Sequence, residues 1–119
     1  QRGMRLLRQE QYENARQAFE ESYAFFEQNP KYDQGRASYL MSVSQISYRE
    51  MALLNVGYCY MMLEQNEQAK AAYQKVLAKF PNSWMAKDAL TYFEDLENQP
   101  HKDEKSNNLL KDEDDVELV

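Results

Sequence analysis

The residues of this chain that could do chemistry are few: one histidine, His101, one cysteine, Cys59, and a row of carboxylates at Glu10, Glu13, Glu20, Glu21 and Glu27. A lone imidazole in a polar stretch cannot form a Ser-His-Asp or Cys-His relay on a packed scaffold, so nucleophilic catalysis has no candidate. Zinc needs two or more His and Cys at ligand spacing, and these are missing. The glutamates recur at helical spacing and resemble paired carboxylates, but nothing apolar surrounds them to raise a pKa, so they read as a solvated helix face. The stretch KDEDDVELV has neither the glycine nor the final glutamate of a calcium loop. Its last residues, Glu117, Leu118 and Val119, could at most add to a partner's sheet edge. No glycine-rich phosphate loop occurs. The expectation is a non-enzyme without cofactor or metal, in which Cys59, beside Tyr60 on an apolar stretch, is a buried thiol.

Whatever function remains must be carried by helices. Gly and Pro are scarce, at three each, and the chain of 119 residues is 43% hydrophobic, enough for one small core. From Tyr12 the apolar positions Tyr12, Ala15, Phe19, Tyr23 and Phe26 mark one helix face, ending at Asn29-Pro30. A second stretch, from about Gly35 to Glu64, carries Tyr39, Leu40, Val43, Ile46, Leu53, Leu54, Val56, Tyr60 and Met61. It reads as one long helix or as two, the break then falling near Ser44 to Ser47, where serines compete for helical hydrogen bonds. A third helix covers about Glu67 to Lys79 with Ala69, Ala72, Tyr73 and either Val76 or Leu77 inward, and Pro81 stops it. A fourth starts after Ser83, whose hydroxyl can cap it, with Met85, Ala89, Tyr92, Phe93 and Leu96 on its apolar side. Trp84 reads as packing on the end of the array.

The net charge of −6 is uneven: residues 101–119 hold seven carboxylates against three lysines. An acidic chain without a basic stripe cannot neutralise phosphates, which argues against nucleic acid and anionic membranes as partners. No apolar run approaches the ~20 residues of a membrane span, so no membrane insertion is expected. The tail from residue 99 has a disordered composition, with a short helix near residues 108–116 as the alternative. A single cysteine cannot form an internal disulfide and leaves cytoplasm and periplasm both open. Gln1 opens inside a polar helical pattern with no starting Met or leader, which reads as a processed or cut chain.

Residues 50–83 resemble one unit of the tetratricopeptide repeat, a helical hairpin of about 34 residues. Gly57, Tyr60, Ala69, Tyr73 and Pro81 fit its signature closely and Val56 acceptably, while Leu53 stands where Trp is common and Val76 where Ala is preferred. Small Gly57 and Ala69 let two antiparallel helices touch, and Tyr60 and Tyr73 fill the space beside them. Gly3, Leu6, Ala15 and Phe19 repeat the spacing of Gly57, Tyr60, Ala69 and Tyr73, 54 residues upstream instead of one repeat length. The expected architecture is all-α, a short tetratricopeptide-like right-handed array of antiparallel helix pairs. It comprises a partial repeat at 1–30, an inserted helical segment at 31–49, a full repeat at 50–83, a covering end helix at 84–98 and an acidic tail at 99–119.

The resemblance implies a non-catalytic scaffold for protein–protein interaction, because the first helix of each repeat lines a concave peptide-binding groove. Carried over by position, that groove is Met51, Leu54, Asn55, Tyr58, Met61 and Met62, with Met4, Leu7 and Arg8 from the partial copy. These side chains either contact a protein or peptide partner or are covered by the insert and the end helix as core. The alternative function is an oligomerisation module whose groove is filled by its own chain or a second copy. The family's carboxylate clamp is not expected: Asn55 occupies one clamp position, but Met4, Met85 and Ala89 replace the Asn, Lys and Arg it needs. The ending FPNS is similar to repeats of bacterial envelope proteins, such as outer-membrane assembly lipoproteins and the Tol-Pal coordinator, which implies a periplasmic setting.

Overall fold

The computed structural model describes residues 2–34, 36–38 and 45–98. Its helices are α1 (Arg2–Arg8), α2 (Tyr12–Gln28), α3 (Tyr48–Met62), α4 (Asn66–Lys79) and α5 (Trp84–Asn98). Each packs on the next in sequence, giving a short array with α3 at its centre. The periodicity of α2 is realised as expected: Ala15, Ala18 and Phe19 are buried and the glutamates face solvent. In α3 the burial is nearly continuous from Met51 to Gly57, because α2 and α4 enclose it from two sides. Leu53, Leu54, Ala69, Tyr73, Val76, Ala86 and Phe93 form one core cluster. Ala15, Phe19, Val56 and Cys59 form the other.

The upstream copy of the repeat is visible in the backbone. Glu10 and Glu64 are the described non-glycine residues with positive φ, at 58° and 60°. After α1, the N–H of Glu10 donates to the Leu7 carbonyl and that of Gln11 to the Leu6 carbonyl, at 2.9 and 3.0 Å. After α3, Glu64 donates to Met61 and Gln65 to Tyr60, at 3.0 and 2.9 Å. Both ends are thus closed by the same paired left-handed cap, which satisfies two carbonyls the helix leaves free. An added Cβ at Gly3 would stand 2.8 Å from the Phe19 ring, and one at Gly57 would stand 2.8 Å from the Tyr73 ring. The same hairpin is therefore built twice, at the 54-residue offset read from the glycines.

The segment between the copies departs from expectation. The sequence reading made residues 31–49 helical; instead Pro30–Gln34 is a 3-10 turn, and β1 (Arg36–Ser38) pairs antiparallel with β2 (Gln45–Ser47). The register sets Arg36 opposite Ser47, Ala37 opposite Ile46 and Ser38 opposite Gln45. The reason lies at the start of α3. Ser47 is its N-cap, extended at φ −67° and ψ 159°, with its Oγ accepting from Glu50 N–H at 3.1 Å. A capping residue in extended geometry delivers the chain to the helix as a strand, and that strand pairs with the segment before it. α3 begins at Tyr48, just past the break expected near Ser44 to Ser47, but what precedes it at Gln45–Ser47 is a strand and not a first helical half. Ile46 packs against the core cluster, whereas Tyr39, Leu40, Met41 and Val43 lie outside the described residues, as does the helix expected near 108–116.

A second cap reaches α3 from a distance. Asp33, buried on the 3-10 turn, accepts from the N–H groups of Tyr48 and Arg49 at 2.7 and 3.3 Å, and from Arg49 Nε at 2.7 Å. Arg49 also donates to Glu27, which Lys79 pairs from α4, so four elements meet at this corner. A carboxylate on free amides at a helix N-terminus also suits the helix dipole. Asp33→Ala is expected to cost about 1–3 kcal/mol, because it leaves two helix amides and the Arg49 guanidinium short of a partner. Ser47→Ala removes one neutral acceptor and is expected to cost ~1 kcal/mol. Urea midpoints that rank the two variants the other way would remove Asp33 from this role.

Candidate protein-binding surface

The sequence placed six residues on one face of α3, and the structure divides them. Met51, Leu54 and Asn55, toward the helix start, are buried. Leu54 belongs to the core cluster that includes Ala86 and Phe93 of α5. Asn55 donates from Nδ2 to its own helix at the Met51 carbonyl, 3.1 Å away, and lies 4.0 Å from Met4 Sδ on α1. Its amide is therefore satisfied inside the chain. Toward the helix end the same face opens. Tyr58 and Met61 are partly exposed, and Met62 is 42% exposed. The Tyr58 ring meets Tyr12 of α2 edge-on at 6.4 Å, and Met61 leans on the core cluster, so both are anchored at one side and open at the other. On α1, Met4 and Leu7 are partly buried and Arg8 is exposed.

The opposite face of α3 carries a feature the sequence assigned only to packing. Leu53, Val56 and Tyr60 floor a cleft of about 630 Å³ whose walls are α2, with Tyr23 and Glu27, and α4, with Ala72 and Lys75. Each wall contributes a cation over an aromatic ring: Arg16 lies 5.3 Å from the Tyr60 centroid and Lys75 Nζ 4.8 Å from that of Tyr23. Leu53, Val56 and Tyr60 occupy signature positions of the hairpin, and a signature position does not tell how far apart the neighbouring helices will stand.

Electrostatics along α2 fit a solvated, paired face. Arg16 donates to Glu13 and to Glu20, 2.7 Å away for the latter, and these bonds raise its pKa while holding Glu13 below the usual carboxylate range. Glu27 is likewise lowered, first by its hydrogen bond from Arg49 and then by Lys79. Burial pushes the Cys59 thiol up to about 11, against which the more distant Arg16 charge pulls weakly. A thiol so placed keeps its proton at neutral pH and is a poor nucleophile. Among the described residues, no three His, Cys, Asp or Glu side chains gather as a metal site, and no helix is long and apolar enough to cross a membrane.

Trp84 packs only in part. It is 52% exposed at the start of α5, where the Ser83 hydroxyl accepts from Ala86 N–H at 3.4 Å and Pro81 lies in the turn just before. The indole borders a groove with Ile46, Phe80 and Pro81 at the end of the repeat, and its other half is open.

Residues 51–83 match the family model of the tetratricopeptide repeat. Among curated proteins and among solved structures, nothing matches the chain.

Proposed function

Because the chain carries a tetratricopeptide repeat at residues 51–83, we propose that it is a non-catalytic scaffold that holds a protein or peptide on the open half of α3, at Tyr58, Met61 and Met62. Repeats of this kind stack into extended concave surfaces that serve protein binding. The observation that carries the reading is the division of the α3 face. Met51, Leu54 and Asn55 are closed over by the chain itself, whereas Met62 stands 42% exposed next to the half-covered Met61 and Tyr58. The buried three then shape the floor, and the open three make the contact. Thioether side chains adapt to irregular apolar surfaces, and burying each contributes about 1.5–3 kcal/mol before ordering costs. The occupant that suits such a strip is an extended or helical segment with spaced apolar anchors.

The test compares capture of a binding protein by the immobilised parent chain and by Met62→Asp and Tyr58→Ala. Both variants are expected to melt near the parent, since neither side chain is fully buried, and to bind at least ~10-fold more weakly, as anchor residues do. Equal capture by all three proteins would move the contact elsewhere. A light-scattering mass that doubles with concentration, and reverts in Met62→Asp, would instead identify the occupant as a second copy.

A further inference from the structure

Six large apolar side chains stand exposed among the described residues, and three of them, Trp84 at 52%, Tyr92 at 52% and Leu96 at 38%, belong to α5. Their numbers differ by multiples of four, with Asp88 filling the remaining step, so they form one ridge along the helix. The face of α5 beside this ridge is committed: Ala86 and Phe93 are buried, and Met85, Ala89 and Leu90 lean on the core cluster, with Leu96 open at the edge of that face. Tyr92 is braced edge-on against Phe93 at 5.5 Å, which holds its ring in place while leaving half of it open. The helix is the last described element of an array that grows by laying helix on helix; it packs chiefly on α4, and at its start Trp84 also borders a groove with Ile46, Phe80 and Pro81.

Charge selects what can cover it. Asp88 and Asp95 lie along the ridge and neither forms an ion pair with a described residue; on α5 only Glu97 does, with Lys70. Glu94 adds a further carboxylate, and Lys87 is the sole cation of the helix. A second copy would set this acidic helix against itself, in a chain of net charge −6. An anionic lipid surface would be repelled in the same way. A helix with apolar residues and Lys or Arg on one side would cover Trp84, Tyr92 and Leu96 and pair Asp88, which interrupts the ridge, and Asp95 beside it. From the ridge and its unpaired carboxylates we infer that the outer face of α5 docks a basic amphipathic helix of a partner protein. The site is distinct from the α3 strip and does not depend on it.

Trp84 is the only tryptophan in the chain, so its emission reports on this face alone when the probe carries none. The probe is a synthetic Leu/Lys amphipathic helix of about 18 residues, long enough to be helical when bound, with a Leu/Glu peptide of the same pattern as its counterpart. With the full chain, the Leu/Lys peptide is expected to shift Trp84 emission to the blue and protect it from acrylamide, and the Leu/Glu peptide to do neither. Tyr92→Ala with Leu96→Ala is expected to weaken binding about tenfold or more. Asp88→Lys with Asp95→Lys is expected to weaken it about tenfold at low salt and less at high salt. Met62→Asp is expected to leave the Trp84 shift and its protection by the probe as in the parent, because that signal reports on α5 and not on the α3 strip. Binding that leaves Trp84 emission unchanged, or that survives both double variants, would place the peptide elsewhere and overturn the assignment. So would a Trp84 already shielded from acrylamide in the free chain, because the face would then be covered by the chain itself or by a second copy.

Discussion

Gly57→Leu is expected to leave the domain unfolded under conditions where the parent is folded. A Cβ at position 57 would stand 2.8, 2.9 and 3.0 Å from three atoms of the Tyr73 ring, well inside the contact distance of about 3.5–4.0 Å. The ring cannot step aside, because Tyr73 is buried in the core cluster and backed by Phe93 at 6.3 Å between centroids. The branched remainder of leucine must therefore push α3 from α4. Overpacking of this kind costs about 1–3 kcal/mol for small additions and more for large ones, against a total that is small for a domain of this size. Helix propensity works the other way: alanine gains roughly 1 kcal/mol over glycine within a helix. That opposition gives an internal control. Gly57→Ala should destabilise the parent, yet in a Tyr73→Leu background, where the ring is gone, it should stabilise by roughly 0.5–1 kcal/mol. Urea titrations followed by far-UV circular dichroism read both effects. A Gly57→Leu chain with the parent's midpoint would mean that α3 and α4 do not meet at this glycine.

Phe19→Ala is expected to cost about 3–5 kcal/mol, the range for an aromatic ring removed from a packed core. Its side chain is fully buried; it rests on Gly3 of α1 and shares a cluster with Ala15 of its own helix and with Val56 and Cys59 of α3. One ring thus joins the partial hairpin to the full one. The cysteine provides a second readout. In the parent, burial holds the thiol to about 11, so at pH 8 a disulfide reagent can react only through an opening of the fold. Lowering the cost of that opening by ~3 kcal/mol corresponds to roughly a hundredfold faster labelling of Cys59. Equal labelling rates in parent and variant would mean that Phe19 does not guard the thiol. The direction of the shift also fixes a pH dependence. The unfolded thiol loses its proton near 9.0 while the folded one keeps it to about 11. The thiol's effect on stability is therefore absent below about 9, and stability falls as the pH rises from there toward 11.

The helices were legible because their signals are local. Phe19 and Ala15 recur on one face of α2, Pro81 cannot continue α4, and the hydroxyl of Ser83 was placed where it caps α5. The hairpin contact was legible for the same reason, since glycine and alanine at fixed offsets from aromatics describe a close crossing regardless of what surrounds it. The β1–β2 pairing was not. Residues 36–38 and 45–47 carry little apolar pattern of their own, and their pairing goes with the extended Ser47 that caps α3, while Asp33, fifteen positions before Tyr48, caps the same helix from a distance. Nor could the pattern of α3 show which part of its groove face stays open. Leu54 and Met62 are equally apolar in sequence, and α5 packs into the cluster that holds Leu54.

What the amino-acid order determined by itself was the unit: a helical hairpin, made twice at a 54-residue offset, with Gly3 and Gly57 as the points of touch. Short-range sterics and capping decide that unit, and both act within a few residues of the letters that encode them. What only the tertiary structure decided was exposure. Asn55 is enclosed while Met62 is open, and Trp84, expected to pack, is covered on one half only. Burial depends on which helix arrives from elsewhere in the chain and at what distance, and no periodicity within a single helix carries that information.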